Sequence, residues 1–83
     1  MFVEEELMML SNFFNIQSNK ENVLLHMDSK GTANKWILID FSEKYKERYG
    51  IYYKSSFSKI YRPFNQVNTL SSALNLISNY ESR

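Results

Sequence analysis

Helical patterns at both ends of the chain enclose a middle section with the pattern of β-strands, and this order constrains the fold more than any other feature. The first helical pattern covers residues 2–15 and the second covers residues 68–81. Apolar residues of the first recur at the spacing of one helical face: Val3, Leu7, Leu10 and Phe14. Thr69 precedes the second pattern and is a residue type that favours the N-cap.

The middle section predicts three strands and a shorter fourth. These strands are expected at residues 23–28, 36–41, 49–54 and 57–62. The second is the clearest, because Trp36 opens an apolar run rich in residues that favour strands. Pro63 is expected to end the fourth strand, and the polar residues 15–22 are expected to form a loop. Residues 42–49 fit either a short helix or an exposed turn.

This order, α-β-β-β-(β)-α, predicts an α+β fold. Its sheet is a small antiparallel three- to four-stranded meander with an N-terminal and a C-terminal helix. With 83 residues and no linker, residues 1–83 are expected to form a single domain.

The sequence lacks the residues that several kinds of catalytic and metal-binding site require. There is no cysteine for a thiol nucleophile or a thiolate metal site, and the two glycines stand far apart, so no phosphate loop is present. We therefore expect neither a metal nor another cofactor. No apolar run approaches the roughly 20 residues of a membrane span. The acidic residues after Met1 are unlike a secretory signal, so a cytoplasmic protein is expected.

His26 is the one histidine and the best candidate for a general base. It could pair with Asp28, two residues along the same strand, or with Asp40. The competing interpretation is an ordinary sheet residue without a catalytic role. Because a chain of this size leaves little room for a deep pocket, we expect a protein that is not an enzyme.

Charge is distributed unevenly along the chain. Residues 1–29 carry one lysine against five carboxylates, whereas residues 30–62 carry eight basic residues against three acidic ones. Tyrosines are interleaved with these cations, a combination typical of proteins that bind single-stranded nucleic acid. A nucleic-acid-binding surface would use Lys44, Lys46, Arg48, Lys54, Lys59 and Arg62. The alternative is that the tyrosines are core residues and the lysines are ordinary solvated positions.

Alternation along the strands predicts a sheet with two apolar faces. One face, which includes Ile37 and Ile39, should meet the helices. The second is expected to carry an apolar and aromatic patch, which predicts a protein-binding site at Leu24, His26, Trp36, Leu38 and Tyr52. If one helix covers each face, this patch is buried instead.

The function expected from these patterns is a small non-enzymatic protein-binding module, with nucleic-acid binding as the alternative. The abundant amino acids are ones whose codons are AT-rich. This suggests a phage or mobile-element accessory protein that inhibits or regulates a host protein by occlusion. A homodimer formed through a sheet edge or through the face around Trp36 would hide apolar surface.

Overall fold

The chain forms one five-stranded antiparallel sheet with a helix at each end. The computed structural model describes residues 1–42 and 47–82. Its elements are α1 (Glu4–Phe13), β1 (Phe14–Lys20), β2 (Leu24–Ser29), β3 (Lys35–Asp40), β4 (Tyr49–Lys54), β5 (Arg62–Val67) and α2 (Leu70–Glu81). Each strand pairs with the next one along the chain, so the sheet is a meander. The predicted α+β fold is confirmed. The choice between helix and turn in the segment after β3 concerns residues that lie largely outside the described ones.

Both helices are confirmed, although α1 is shorter than predicted. The backbone N–H of Val3 donates to the Glu6 carboxylate at 3.0 Å, which fixes the start of α1. Phe14 already has extended backbone angles and opens β1 directly, so α1 ends before residue 15. The side chain of Thr69 accepts a hydrogen bond from the backbone N–H of Ser72, which confirms Thr69 as the N-cap of α2.

The prediction of a loop over residues 15–22 is wrong, because most of this segment belongs to β1. Phe14 and Ile16 point into the core, while the polar residues between and after them face mainly outwards. One apolar face is enough for a strand at the edge of a sheet. The turn to β2 lies at Glu21 and Asn22, whose φ angles are 56° and 58°. Two successive left-handed residues are the geometry of a tight hairpin turn.

The last strand begins where the sequence pattern predicted that it would end. β5 begins at Arg62 and includes Pro63, which pairs with Tyr52. Proline is tolerated there because β5 is an edge strand, where a missing N–H need not break the ladder. The pairing shifts register between Ile51 and Tyr52, and Phe64 on the bulged strand packs against the core.

Both helices cover the same face of the sheet. Leu10 of α1 and Ile77 of α2 belong to one buried cluster with residues from the three central strands. The buried residues of β2, β3 and β4 in that cluster are Leu25, Met27, Trp36, Leu38, Tyr49 and Ile51. Helix α1 packs beside β1, whereas α2 packs over β4 and β5. In the described part of the chain, the other face of the sheet has no helical cover.

The register of the β2–β3 pair determines which side chains of β3 are buried. Met27 pairs with Trp36 and Leu25 pairs with Leu38, so these four side chains lie on the covered face. Trp36 is 0% exposed and Leu38 is 1% exposed. The prediction that placed them on an uncovered face is therefore wrong. The pairing places Ile37 there instead, opposite His26.

Candidate binding surface

The uncovered face of the sheet is predominantly apolar at its centre. We call this surface the open face and define it by residues of β2, β3 and β4: Leu24, His26, Asp28, Lys35, Ile37, Ile39, Tyr52 and Lys54. All of them are half-buried. Leu24 pairs with Ile39, and Ile37 lies between His26 and Tyr52. The result is a continuous patch of apolar side chains with a row of charged ones at one end.

One loop folds over an end of the open face. Tyr61 lies just before β5, yet its ring makes an edge contact with His26 of β2, with the ring centroids 5.8 Å apart. The ammonium of Lys54 lies 5.1 Å from the centroid of the same ring. Tyr61 is the last residue of the segment 55–61, which we call the β4–β5 loop, and its ring therefore reaches back across β4 and β3. Burial raises the pKa of the Tyr61 hydroxyl, and this effect outweighs the lowering effect of Lys35.

The β4–β5 loop carries the most exposed apolar side chain of the described residues. Phe57 is 98% exposed and Ile60 is 59% exposed. A fully solvated phenyl ring gains nothing for the stability of the isolated fold. Exposed apolar groups next to an apolar sheet surface form the kind of patch that marks an interaction site.

The structure brings together three of the five residues predicted to bind a protein. Leu24, His26 and Tyr52 share the open face. Trp36 and Leu38 lie on the opposite side of the sheet, where no partner can contact them without unfolding the core.

Trp36 is instead the centre of an aromatic cluster. Its indole N–H donates to the hydroxyl of Ser29 at 2.9 Å. Its ring lies 4.8 Å from that of Tyr53, 5.1 Å from that of Phe64 and 5.9 Å from that of Tyr80, measured between centroids. These contacts satisfy both the polar and the apolar parts of the side chain, as a buried tryptophan requires.

The two carboxylates considered as partners for His26 lie on different faces. Asp28 shares the open face with His26, but its Oδ1 accepts a hydrogen bond from the ammonium of Lys35 at 3.1 Å. Asp40 is on the covered face, so of the two possible partners it is the one that cannot contact His26. The ring contact of His26 is with Tyr61.

Asp40 is a buried carboxylate with two partly exposed cationic partners. Its side chain is fully buried and accepts hydrogen bonds from the amino group of Met1 at 2.6 Å and from the backbone N–H of Ser42 at 2.7 Å. The Arg48 guanidinium contacts both carboxylate oxygens, at 3.1 and 3.2 Å. Burial acts to raise the pKa of Asp40, but these hydrogen bonds together outweigh it and lower the pKa to about 2.

The predicted nucleic-acid set is divided by the fold. Arg48 is held by Asp40 towards the covered face, so it does not contribute to a surface on the open face. Lys54 lies on the open face, Lys59 is exposed in the β4–β5 loop, and Arg62 is exposed at the start of β5. Lys44 and Lys46 lie outside the described residues.

Sequence reasoning missed four residues of this surface. Ile37 and Ile39 were assigned to the covered face, because β3 is apolar on both sides and its pattern has no polar face. Phe57 and Ile60 were assigned to a strand, although they belong to the β4–β5 loop. The three serines at positions 55, 56 and 58 are the signal that favours a loop here.

Comparison with known proteins identifies no matching family model, no similar curated protein and no similar solved structure. Neither described helix is long and apolar enough to cross a bilayer. Within residues 1–42 and 47–82, His, Asp and Glu side chains form no group that could hold a metal ion.

Proposed function

We propose that this chain is a non-enzymatic protein-binding module that docks its partner on the open face and the β4–β5 loop. The observation that carries the proposal is the position of Phe57, 98% exposed in a loop that folds over an apolar sheet face without helical cover. Large apolar side chains in such positions are the usual anchors of a protein interface.

The charges around the anchor indicate the chemistry of the partner. Residues 54–62 carry Lys54, Lys59 and Arg62 and no acidic residue. An acidic protein surface with an apolar cavity would complement this loop, because the cations would surround the cavity that receives Phe57. Attraction between the basic loop and an acidic partner would also increase the rate of association.

Binding of this kind regulates a partner by occlusion. The open face and the loop together cover one side of the molecule, and they would exclude other ligands from the surface they occupy. We place this interaction in the cytoplasm, and an inhibitor or regulator encoded by a phage or mobile element fits the AT-biased composition.

The experiment compares variants of the immobilised protein as baits for extracts of the cells in which it is made. Phe57→Ser removes the anchor, and Met8→Ser is the matched control, since Met8 is 63% exposed on α1. We expect one protein to be retained by the wild type and by Met8→Ser, and to be lost with Phe57→Ser and Ile60→Ser. The purified partner should bind the wild-type chain at least tenfold more tightly than it binds Phe57→Ser.

Retention of the same proteins by all four baits would refute the proposed surface. A second copy of the chain is a competing occupant of this face, as the predicted homodimer implies. Light scattering distinguishes this outcome, because Phe57→Ser would then convert a dimer to a monomer without any other protein present.

Nucleic-acid binding is the second candidate function, favoured by the contact between Lys54 and the Tyr61 ring. A cation beside an aromatic ring on a sheet surface can hold a phosphate and stack a base. The affinity for a single-stranded oligonucleotide should then fall linearly with salt on a log–log plot, and Lys59→Glu should reduce the slope by about one. If the fluorescence anisotropy of a labelled oligonucleotide did not change when the protein was added at low salt, this function would be excluded.

A further inference from the structure

A groove separates the two helices on the covered face. Helix α1 lies beside β1 and α2 lies over β4 and β5. This groove of about 590 Å³ runs along α2 and is closed by Phe13 and Phe14 at the end of α1 and by the loop after β2. This volume falls in the range of roughly 300–1,000 Å³ that is usual for binding sites. Its apolar lining includes Phe13, Phe14, Leu74 and Ile77, while serines and Asn75 of α2 line it with polar groups.

A fixed carboxylate lies at one end of this groove. Oε2 of Glu81 accepts hydrogen bonds from the side chains of Ser29 at 2.6 Å, Thr32 at 2.7 Å and Asn34 at 3.0 Å. Burial acts to raise the pKa of Glu81, but these hydrogen bonds outweigh it and lower the pKa, so the carboxylate is ionised at neutral pH. The donors also hold its orientation, because they come from the end of β2 and from the loop that follows it.

The negative ends of both helices converge on the same place. Helix α2 ends at Glu81, and α1 ends at Phe13, next to Phe14, which pairs with Ser29 in the sheet. Neither helix has a basic residue in its last turn. A helix C-terminus carries a partial negative charge that a nearby cation would normally stabilise.

No cation of the described residues neutralises this site. The ion pairs in residues 1–42 and 47–82 involve Asp28 and Asp40, not Glu81. Lys30 lies between the donors Ser29 and Thr32 in the sequence, but it is exposed and makes no ion pair with Glu81. The groove therefore combines an apolar lining, one ionised carboxylate and two helix C-termini.

We propose that this groove binds a peptide segment of a partner protein that presents an arginine beside apolar side chains. The guanidinium is placed at Glu81, and the apolar neighbours contact Leu74 and Ile77. Arginine fits better than lysine, since its planar group can also stack on the ring of Phe13, which is 57% exposed. This site is on the side of the sheet opposite the open face, so the inference does not depend on the proposed function.

Matched peptides test the cation requirement directly. The probe is acetyl-Leu-Arg-Leu-amide, and the control is the same peptide with citrulline, which keeps the shape of arginine without its charge. The sole tryptophan reports binding, because the indole N–H of Trp36 is bonded to Ser29 and Ser29 to Glu81. We expect the arginine peptide to change the Trp36 fluorescence and to bind about tenfold or more tightly than the citrulline peptide.

Variants on one face of α2 locate the site. Asn75→Lys places a cation in the groove and should weaken the arginine peptide about tenfold or more. Asn79→Lys adds the same charge at an exposed position outside the groove lining and should leave binding unchanged. The Glu81→Gln variant should bind the arginine and citrulline peptides with equal affinity, because it lacks the carboxylate. Because Arg83 follows Glu81 closely in the sequence, the titration is repeated with Arg83→Gln to remove a competing guanidinium.

Three results would overturn the inference. The first is equal affinity for the arginine and citrulline peptides in the wild type and in Arg83→Gln. The second is no binding of either peptide by these proteins up to about 5 mM, which is weaker than the millimolar affinity of a minimal peptide contact. The third is equal weakening by Asn75→Lys and Asn79→Lys. Each of these can occur whether or not Phe57 anchors a partner on the open face.

Discussion

Replacing Asp40 by asparagine should remove a large part of the stability that the protein loses at acid pH. The pKa of this carboxyl is lowered from 3.8 to about 2 in the folded chain. A difference of about 1.8 units at 1.36 kcal/mol per unit corresponds to about 2.4 kcal/mol. Since the folded state favours the ionised form, this contribution is present above about pH 4 and is lost as the pH falls towards 2.

The control for this variant is Asp28→Asn on the open face. Asp28 also pairs with a cation, at 3.1 Å from Lys35, but both side chains are partly exposed. Exposed pairs contribute about 0–1 kcal/mol, because solvent screens them and two side chains must be ordered. The two variants therefore differ mainly in the burial of the carboxylate.

Urea denaturation between pH 2 and 7, followed by circular dichroism, measures the effect. We expect Asp40→Asn to be less stable than the wild type at pH 7 by about 2–3 kcal/mol, and the two proteins to become similar near pH 2. Asp28→Asn should follow the wild-type profile closely. An Asp40→Asn protein that keeps the wild-type acid dependence would show that other carboxylates control it and would refute the reasoning.

Three further changes test the packing of the sheet. Trp36→Ala should cost about 3–5 kcal/mol in urea denaturation because it empties the centre of the aromatic cluster, and a cost below 1 kcal/mol would contradict its burial. Gly50→Ala places a methyl group 2.7 Å from the ring of Phe41 and should cost about 1–3 kcal/mol, whereas Gly31→Ala, with no atom within 4 Å, should be nearly neutral. The hydrogen bond with Tyr80 and burial raise the pKa of Tyr53 to about 12. The free energy of unfolding should therefore fall as the pH rises from 10 towards 12, and Tyr53→Phe should flatten that fall in urea denaturation at alkaline pH.

Much of the secondary structure was predictable because its signals are local. The helical spacing before residue 14 and the N-cap at Thr69 identified both helices. Residues 49–54 were predicted as a strand, and β4 has these bounds. These patterns depend on neighbours within one or two turns or along one strand, which the sequence itself contains.

Edge strands were less predictable because their evidence is not local. β1 has a polar outer face, and its residues become a strand through backbone hydrogen bonds to β2. β5 contains Pro63, which argues against a strand except at an edge. In each case the deciding partner lies on another part of the chain.

The sequence by itself determined an α+β chain with terminal helices, a strand-forming middle and a basic segment rich in tyrosine. Only the tertiary structure decided which face of β3 is covered. Trp36 and Leu38 alternate with Ile37 and Ile39, so either face could have joined the core. The pairing of Met27 with Trp36 settles the choice, because register moves every side chain of a strand to one face or the other. The same pairing leaves the isoleucines on the open face, the side of the sheet that Tyr61 of the β4–β5 loop contacts.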